Sequence, residues 1–236
     1  MNNLFKITCL LALSFFVSCG SDDGGPTTTG GGGDDGGLPV PTATYDLGFT
    51  TNFTEENNPQ DYPAGATFGT IVAIVHAPEV SVFSIGQAAS DGMALYAESG
   101  DVEGLAAFIS TSLGEDGDGQ FSISTAGVIG AQATTTTSVT VTPTRTRITF
   151  LARLNPSPDW FVGVSSFNVV DATGVGLIQM GQVELQPLDA GVILGSTYEA
   201  NDGAENAAIT LYDEAPFGDG SPLSEAIGSL TLERTN

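Results

Sequence analysis

The sequence predicts a mainly β protein, an antiparallel β-sandwich with one or two short helices. Short runs of apolar and β-branched residues recur along residues 43–236, and clusters of Gly, Asp and Pro separate them. Many short strands with turn signals between them are typical of a sandwich or barrel. Residues 87–113 break this pattern, because they are rich in Ala and their apolar residues have helical spacing.

Alternation of apolar and polar residues identifies the strands. In residues 147–154 every second residue is apolar, which predicts a strand with one face in the core. The predicted strands are residues 43–53, 70–76, 80–85, 138–141, 147–154, 161–170, 177–185, 207–212 and 226–232.

The helical stretch ends in an amphipathic segment. Four apolar residues recur there at helical spacing and share one face. They are Leu105, Phe108, Ile109 and Leu113. Asp101 precedes this segment and is placed to cap the turn that begins it.

Residues 1–18 are predicted to be a lipoprotein signal peptide. A start containing Lys6 precedes an apolar stretch of signal-peptide length. The stretch ends in Phe-Val-Ser-Cys at residues 16–19, which resembles the lipobox of bacterial lipoproteins and implies cleavage before Cys19 and lipidation of its thiol. An ordinary signal peptide is the alternative. A transmembrane anchor is disfavoured because the stretch is too short to span a bilayer comfortably.

Residues 19–42 are predicted to be a flexible tether, because Gly, Thr, Asp and Pro dominate them. The acidic residues directly after Cys19 resemble the surface-export signal of some Gram-negative lipoproteins. We therefore expect a protein that is lipid-anchored to the outer membrane through Cys19 and exposed at the cell surface. Cys9 lies in the signal peptide, so residues 43–236 carry no thiol and no disulfide.

The charge of the chain limits its partners. It has 28 acidic and 5 basic side chains, and its one lysine is Lys6. Nucleic acid is a poor partner for such a chain, whereas calcium and other hard cations are good ones. The alternative is that the acidity only keeps an extracellular protein soluble.

The residues offer little for catalysis. His76 is the single histidine, and its position at the end of an apolar strand favours a structural hydrogen-bonding role. Without a lysine beyond Lys6, no Walker-A or Schiff-base lysine is available. Residues 115–119 look like half of a calcium loop but lack the EF-hand frame, so a solvated hairpin turn is expected. The sequence does not exclude a pair of carboxylates that could hydrolyse a glycosidic bond. We expect no enzyme activity.

The single tryptophan follows a stiff corner. Pro156 and Pro158 fix two φ angles, and Asp159 is presented directly after them. Trp160 then begins an apolar run, which favours an anchor buried in the core. An exposed tryptophan that stacks on sugars is the alternative.

Residues 156–169, Pro-Ser-Pro-Asp-Trp-Phe-Val-Gly-Val-Ser-Ser-Phe-Asn-Val, resemble the hallmark segment of the spondin N-terminal domain family. Residues 68–76, 86–105, 185–191 and 226–234 resemble further family segments in the same order. The second of these matches through Gly86, Ala89, Ser90, Gly92, Ala97, Glu98, Gly100 and Leu105. The resemblance covers about residues 43–234.

The resemblance implies a sandwich similar to C2 domains, with calcium bound by loop carboxylates. Glu98, Asp159 and Asp189 stand in the matching segments and are the expected ligands. Three converging carboxylates would repel one another without a cation. The alternative is that the two aspartates cap turns and Glu98 is solvated. In residues 164–168 the family often has Val-Asp-Ser-Leu-Asp, whereas this chain has no carboxylate there, so Asn168 or backbone carbonyls are possible substitutes.

The animal members of the family are extracellular matrix and adhesion proteins. The sequence therefore indicates a surface-anchored, non-enzymatic, calcium-binding module for adhesion or extracellular matrix contact, with an extracellular protein or a glycan as partner. A carbohydrate-binding or carbohydrate-active surface lipoprotein is the alternative function. A periplasmic structural lipoprotein without a ligand is a third.

Overall fold

Two antiparallel sheets face each other across one apolar core, which confirms the predicted all-β sandwich. The structure is a computed structural model that describes residues 40–58, 60–113, 121–223 and 225–236. The predicted signal peptide, Cys19, nearly all of the tether and the predicted turn at residues 115–119 lie outside the described residues.

Eleven strands and two helices make up the described elements. The strands are β1 (Ala43–Thr51), β2 (Thr67–His76), β3 (Phe121–Ala126), β4 (Ile129–Gly130), β5 (Thr134–Val141), β6 (Arg147–Asn155), β7 (Trp160–Asn168), β8 (Met180–Leu185), β9 (Pro187–Asp189), β10 (Thr210–Leu211) and β11 (Gly228–Arg234). The helices are α1 (Asp91–Ser99) and α2 (Val102–Leu113).

The smaller sheet has the strand order β5-β1-β11-β8, and the larger has the order β10-β9-β7-β6-β2-β3 with β4 also paired to β2. Alternation in β1 places Tyr45, Leu47 and Phe49 between the sheets. Phe68 and Phe150 meet Phe49 from the larger sheet, with ring centroids 5.6 and 5.0 Å away. The two sheets thus share one core.

The larger sheet is buried on both faces because α1 and α2 cover its outer side. Met93, Tyr96 and Leu105 pack there against strand residues such as Leu151. The Tyr96 hydroxyl donates to the Thr70 carbonyl oxygen at 2.7 Å and ties α1 to β2. The outer face of β6 has polar residues at both ends, and the helices shield it from solvent.

Local signals explain where the helices begin and end. The hydroxyl of Ser90 accepts from the Met93 N–H at 3.2 Å and caps α1, and Gly100 ends it with a φ of 75°. Asp101 accepts from the Gly104 N–H at 3.0 Å, which confirms the predicted cap of α2. A Cβ on Gly92 would lie within 2.4 Å of Phe108, so glycine permits the close approach of the two helices.

One predicted strand is wrong, and the strands β3, β4 and β9 were not predicted. Residues 80–85 form a loop, because Val82 and Phe83 bury their side chains against the larger sheet without joining its ladder. The edge strand β3 was missed, because its Ser and Thr residues and its partly buried pattern give a weak periodic signal. Residues 177–185 and 207–212 are strands only in β8 and β10, respectively.

Residues Gly37–Asn236 form one compact unit with its own core. Within the described ranges, none of the helices is long and apolar enough to cross a membrane.

Candidate functional site

The corner between β6 and β7 carries the predicted site. Pro156 and Pro158 stiffen the corner, and the side chain of Ser157 hydrogen-bonds across it. The Ser157 hydroxyl donates to the Leu154 carbonyl oxygen at 2.7 Å and accepts from the Trp160 N–H at 3.1 Å. The strand ends are therefore held together by a side chain that is itself buried.

Arg153, near the end of β6, fastens this corner to the end of α1. Its five N–H groups all have acceptors within the protein. The acceptors are the carbonyl oxygens of Ala97, Leu154, Glu98 and Ser157 and the side-chain oxygen of Asn155. The guanidinium also places positive charge at the C-terminal end of α1, where the helix dipole favours a cation. With its donors committed in this way, Arg153 is a structural residue and not a binding group.

Trp160 is fully buried, which confirms the core assignment and makes the exposed, sugar-stacking alternative wrong. Its ring stacks on Tyr212 at 4.6 Å and meets Phe217 and Tyr198 edge-on at 5.3 and 5.5 Å. Its indole N–H and the Tyr198 hydroxyl are both buried and have no hydrogen-bond partner among the described residues. The aromatic rings of this cluster are therefore well packed, while two of its polar groups lack hydrogen-bond partners in the described part of the chain.

Asp159 is a buried carboxylate with one free oxygen. Its Oδ2 accepts from the backbone N–H groups of Val192 and Ile193 at 2.7 and 3.0 Å. Its Oδ1 is buried and has no partner in the described part of the chain. Burial raises the pKa of Asp159 to about 6, the two N–H bonds oppose this, and the charges of Asp189 and Glu205 add to it.

Asp189 ends β9 directly opposite Trp160 in the sheet register. Its Oδ1 accepts from the Gly191 N–H at 2.6 Å. Burial raises the pKa of Asp189, while the Gly191 N–H and the nearby indole N–H of Trp160 lower it. The indole N–H of Trp160 does not reach hydrogen-bond geometry with Asp189, so its effect on this carboxylate is a weak electrostatic attraction. The charge of Asp189 in turn contributes to the raised pKa of Asp159.

Glu98 lies on the exposed surface in the last turn of α1. Its carbonyl oxygen accepts from Arg153 at 2.9 Å, and the same guanidinium nitrogen bonds Ser157, two residues before Asp159. Glu98 lines a cleft of about 530 Å³ together with Tyr198, Glu199 and Asn201, among others. The structure brings the Glu98 backbone to the corner and leaves its carboxylate at the surface.

The donor set fits a cation in part. The unpartnered Oδ1 of Asp159 and the neighbouring carboxylate of Asp189 are hard oxygen ligands of the kind calcium prefers. Across the described ranges, however, no three His, Cys, Asp or Glu side chains form a group that could hold a metal ion. The assignment of Glu98, Asp159 and Asp189 as a metal site stays a prediction.

Asn168 does not belong to this corner. It pairs with Arg147 at the far end of β7, whereas Trp160 begins the strand. Eight residues of extended chain separate them by about 26 Å. The Asn168 side chain accepts from the Val170 N–H at 3.0 Å, so it closes a local turn.

A family model described as Spondin_N matches residues 43–214, from β1 through β10. The chain belongs to the spondin N-terminal domain family. It is 30% identical over 167 residues to Spondin-1 of Xenopus laevis, which covers 67% of this chain and 20% of that protein. It is 26% identical over 162 residues to Spondin-2 of Homo sapiens, covering 67% of this chain and 48% of that protein. The match therefore spans between a fifth and a half of the length of these relatives.

Sequence reasoning missed two residues of this spondin domain's corner. Arg153 is one of the polar alternates of residues 147–154, and its role depends on the end of α1, which reaches it only in the folded chain. Tyr198 lies in a loop with no periodic signal, and its burial against Trp160 depends on the same tertiary packing. The presence of an arginine in a strand otherwise rich in apolar residues was the one available hint.

Proposed function

We propose that this spondin-family chain is a surface-anchored, non-enzymatic, calcium-binding module for adhesion or contact with the extracellular matrix. Membership of the family supports the adhesion assignment. The buried Oδ1 of Asp159, which has no partner among the described residues, is the observation that carries the calcium assignment.

The electrostatics of the corner support a bound cation. Burial and the charge of Asp189 both raise the pKa of Asp159, and burial also raises the pKa of Asp189, so both carboxylates are costly to ionise in this corner. A divalent ion would relieve both this cost and the missing partner of Oδ1. Asp159 and Asp189 are the proposed inner ligands, and Glu98 is the third proposed ligand at the surface side of the corner.

The proposed anchor rests on residues 1–42. Lipidation of Cys19 would hold the domain at the outer membrane, and the Gly- and Asp-rich segment after it would separate the domain from the bilayer. The Cys19→Ala variant is expected to lose incorporation of labelled fatty acid and to leave the membrane fraction. Retention of the label in this variant would contradict the anchor.

The absence of enzyme activity is also part of the proposal. His76 is fully buried and its two ring nitrogens are occupied by Ala77 and Thr149, so it offers no base to a substrate. Carbohydrate binding is the second candidate, because the cleft beside Glu98 presents Glu199 and Asn201 to polar ligands. Glycan binding that is independent of calcium would favour it.

Thermal unfolding of Gly37–Asn236 in EDTA and then in millimolar calcium tests the metal. A ligand that binds only the folded state must raise the midpoint as its concentration exceeds its dissociation constant. We expect a rise with calcium that Asp159→Asn or Asp189→Asn diminishes. Asp171→Asn is the matched control, because Asp171 is an exposed turn aspartate bonded to Thr173.

Terbium luminescence gives a second readout, since Trp160 is the single tryptophan and adjoins Asp159. Sensitised emission that calcium displaces would place the ion at this corner. An unchanged midpoint up to about 1 mM calcium, with no terbium emission, would remove the metal from the function. Adhesion would then depend on the protein surface alone.

A further inference from the structure

Strand β5 forms one edge of the smaller sheet. It runs eight residues, Thr134–Val141, and pairs with β1 without a break in register from Thr44↔Thr140 to Thr50↔Thr134. Among the residues that the structure describes, β1 is the one strand that it pairs with. Its other side has no ladder partner among these residues, although β3 of the larger sheet lies near β5, and it presents a row of backbone N–H and C=O groups.

The hydrogen bonds at the start of the strand show which groups face outward. The Thr51 N–H donates to the Ala133 carbonyl oxygen at 2.9 Å, so Thr51 and Ala133 are a hydrogen-bonded pair. Such pairs alternate along an antiparallel ladder. The even-numbered residues of β5 consequently direct N–H and C=O away from β1. They are Thr134, Thr136, Ser138 and Thr140.

This edge strand lacks the features that usually prevent a second strand from pairing with it. β5 has no charged residue, no proline and no bulge. By contrast, β8, the opposite edge of the same sheet, carries Glu184, and β10 has only two residues. Lysine, the usual guard of an edge strand, does not occur in the chain after Lys6.

We propose that β5 pairs with β5 of a second copy of this chain, antiparallel about a two-fold axis, to form one continuous eight-stranded sheet. With the axis at Thr137, Thr136 lies opposite Ser138 and Thr134 opposite Thr140. Cross-strand pairs of β-branched and hydroxyl residues stabilise such a ladder. Each copy has one β5, so the assembly closes as a dimer.

The residues of β5 carry no charge, so this edge opposes a second copy less than the acidic parts of the surface do. The chain carries a formal charge of −23, so most pairs of surface patches repel. The carboxylate of Asp46 lies on the neighbouring strand β1 and accepts from the Ser138 hydroxyl at 2.5 Å. Salt, which screens the remaining repulsion, should strengthen the dimer.

The test is the molar mass of Gly37–Asn236 in solution, measured by light scattering and sedimentation. We expect conversion from monomer to dimer between about 1 μM and 1 mM, and a shift toward dimer as NaCl rises from about 0.05 to 0.5 M. The variant Thr136→Glu places a charge in the pairing edge and should weaken association by about tenfold or more. Thr136→Pro removes an N–H that β1 does not use and should abolish association.

Ser229→Glu is the matched control. It adds the same charge to the same sheet face, but on the central strand β11. Its dimerisation should stay within about threefold of the wild type. Thermal midpoints confirm that each variant is folded. A monomer at all concentrations, a mass that grows past dimer, or a dimer unaffected by Thr136→Glu would each overturn the proposal.

Discussion

The larger sheet carries a buried polar group at each of its ends, and the two ends differ in how those groups are satisfied. At the end of β2, the His76 Nδ1–H donates to the Ala77 carbonyl oxygen at 2.9 Å. Its Nε2 accepts from the Thr149 hydroxyl at 2.9 Å, and that hydroxyl oxygen accepts from the Ser166 N–H at 3.0 Å. Because a carbonyl can only accept, Nδ1 carries a proton, and burial, which lowers the pKa of His76, favours the neutral Nδ1–H tautomer.

At the other end, the β6–β7 corner leaves three buried polar atoms without partners among the described residues. They are Asp159 Oδ1, Trp160 Nε1 and Tyr198 Oη. Buried polar groups in folded proteins are nearly always paired, so these three atoms distinguish this end from the fully bonded end at His76.

The largest effect is expected at the corner with the unpaired atoms. Trp160→Ala removes a fully buried ring from contact with Tyr212, Tyr198 and Phe217 and should cost about 3–5 kcal/mol of unfolding free energy. Trp160→Phe keeps part of the ring and loses an N–H that had no partner, so it should cost clearly less. Urea unfolding measures both. Equal losses would mean that the indole N–H is bonded in solution.

Arg153→Met tests whether the corner depends on its guanidinium. The variant leaves carbonyl oxygens of α1 and of the corner without donors and should cost about 2–3 kcal/mol. Arg145→Met, in the turn before β6, is the control and should change the free energy by less than about 0.5 kcal/mol. If the two variants behave alike, Arg153 does not hold the corner.

Thr149→Val tests the bonded end. Valine fills nearly the same volume but deprives both His76 Nε2 and the Ser166 N–H of their partner, at a cost of about 2 kcal/mol. Thr140→Val, on the exposed face of β5, is the control for the change of residue type. A cost of zero at Thr149 would show that water replaces the hydroxyl.

The stabilities contributed by the two ends should change with pH in opposite directions. Burial raises the pKa of Asp159 to about 6, so the folded state binds its proton more tightly than the unfolded state, and stability is lost as pH rises from about 4 through 6. Burial lowers the pKa of His76 below 6.5, and this group loses stability as pH falls through its folded-state pKa.

Unfolding free energies in EDTA at pH 4 to 7 measure both contributions. Relative to Asp159→Asn, the wild type should become less stable as pH rises. Relative to His76→Gln, it should become more stable over the same interval. Curves that stay parallel for either pair would show that the residue does not titrate differently in the folded and unfolded states.

Periodicity gave most of the strands correctly where one face is apolar and the other polar, as in β1 and β6. It failed where burial occurs without pairing, as at residues 80–85, since apolar composition alone does not distinguish a buried loop from a strand. It also failed at β3, whose Ser and Thr residues lie partly buried at a sheet edge. The burial of Trp160 was predictable, because an apolar run follows a corner stiffened by two prolines.

The sequence by itself determined the pattern of strands and helices that is typical of a sandwich, the cap at Asp101 and the stiff corner before Trp160, because each depends on neighbours along the chain. Only the tertiary structure decided that Asp159 accepts from the N–H groups of Val192 and Ile193 while the carboxylate of Glu98 stays at the surface. It also decided that Arg153 bonds the end of α1. These contacts join segments 30 to 60 residues apart, and their distances follow from sheet register and helix packing, which local sequence does not specify.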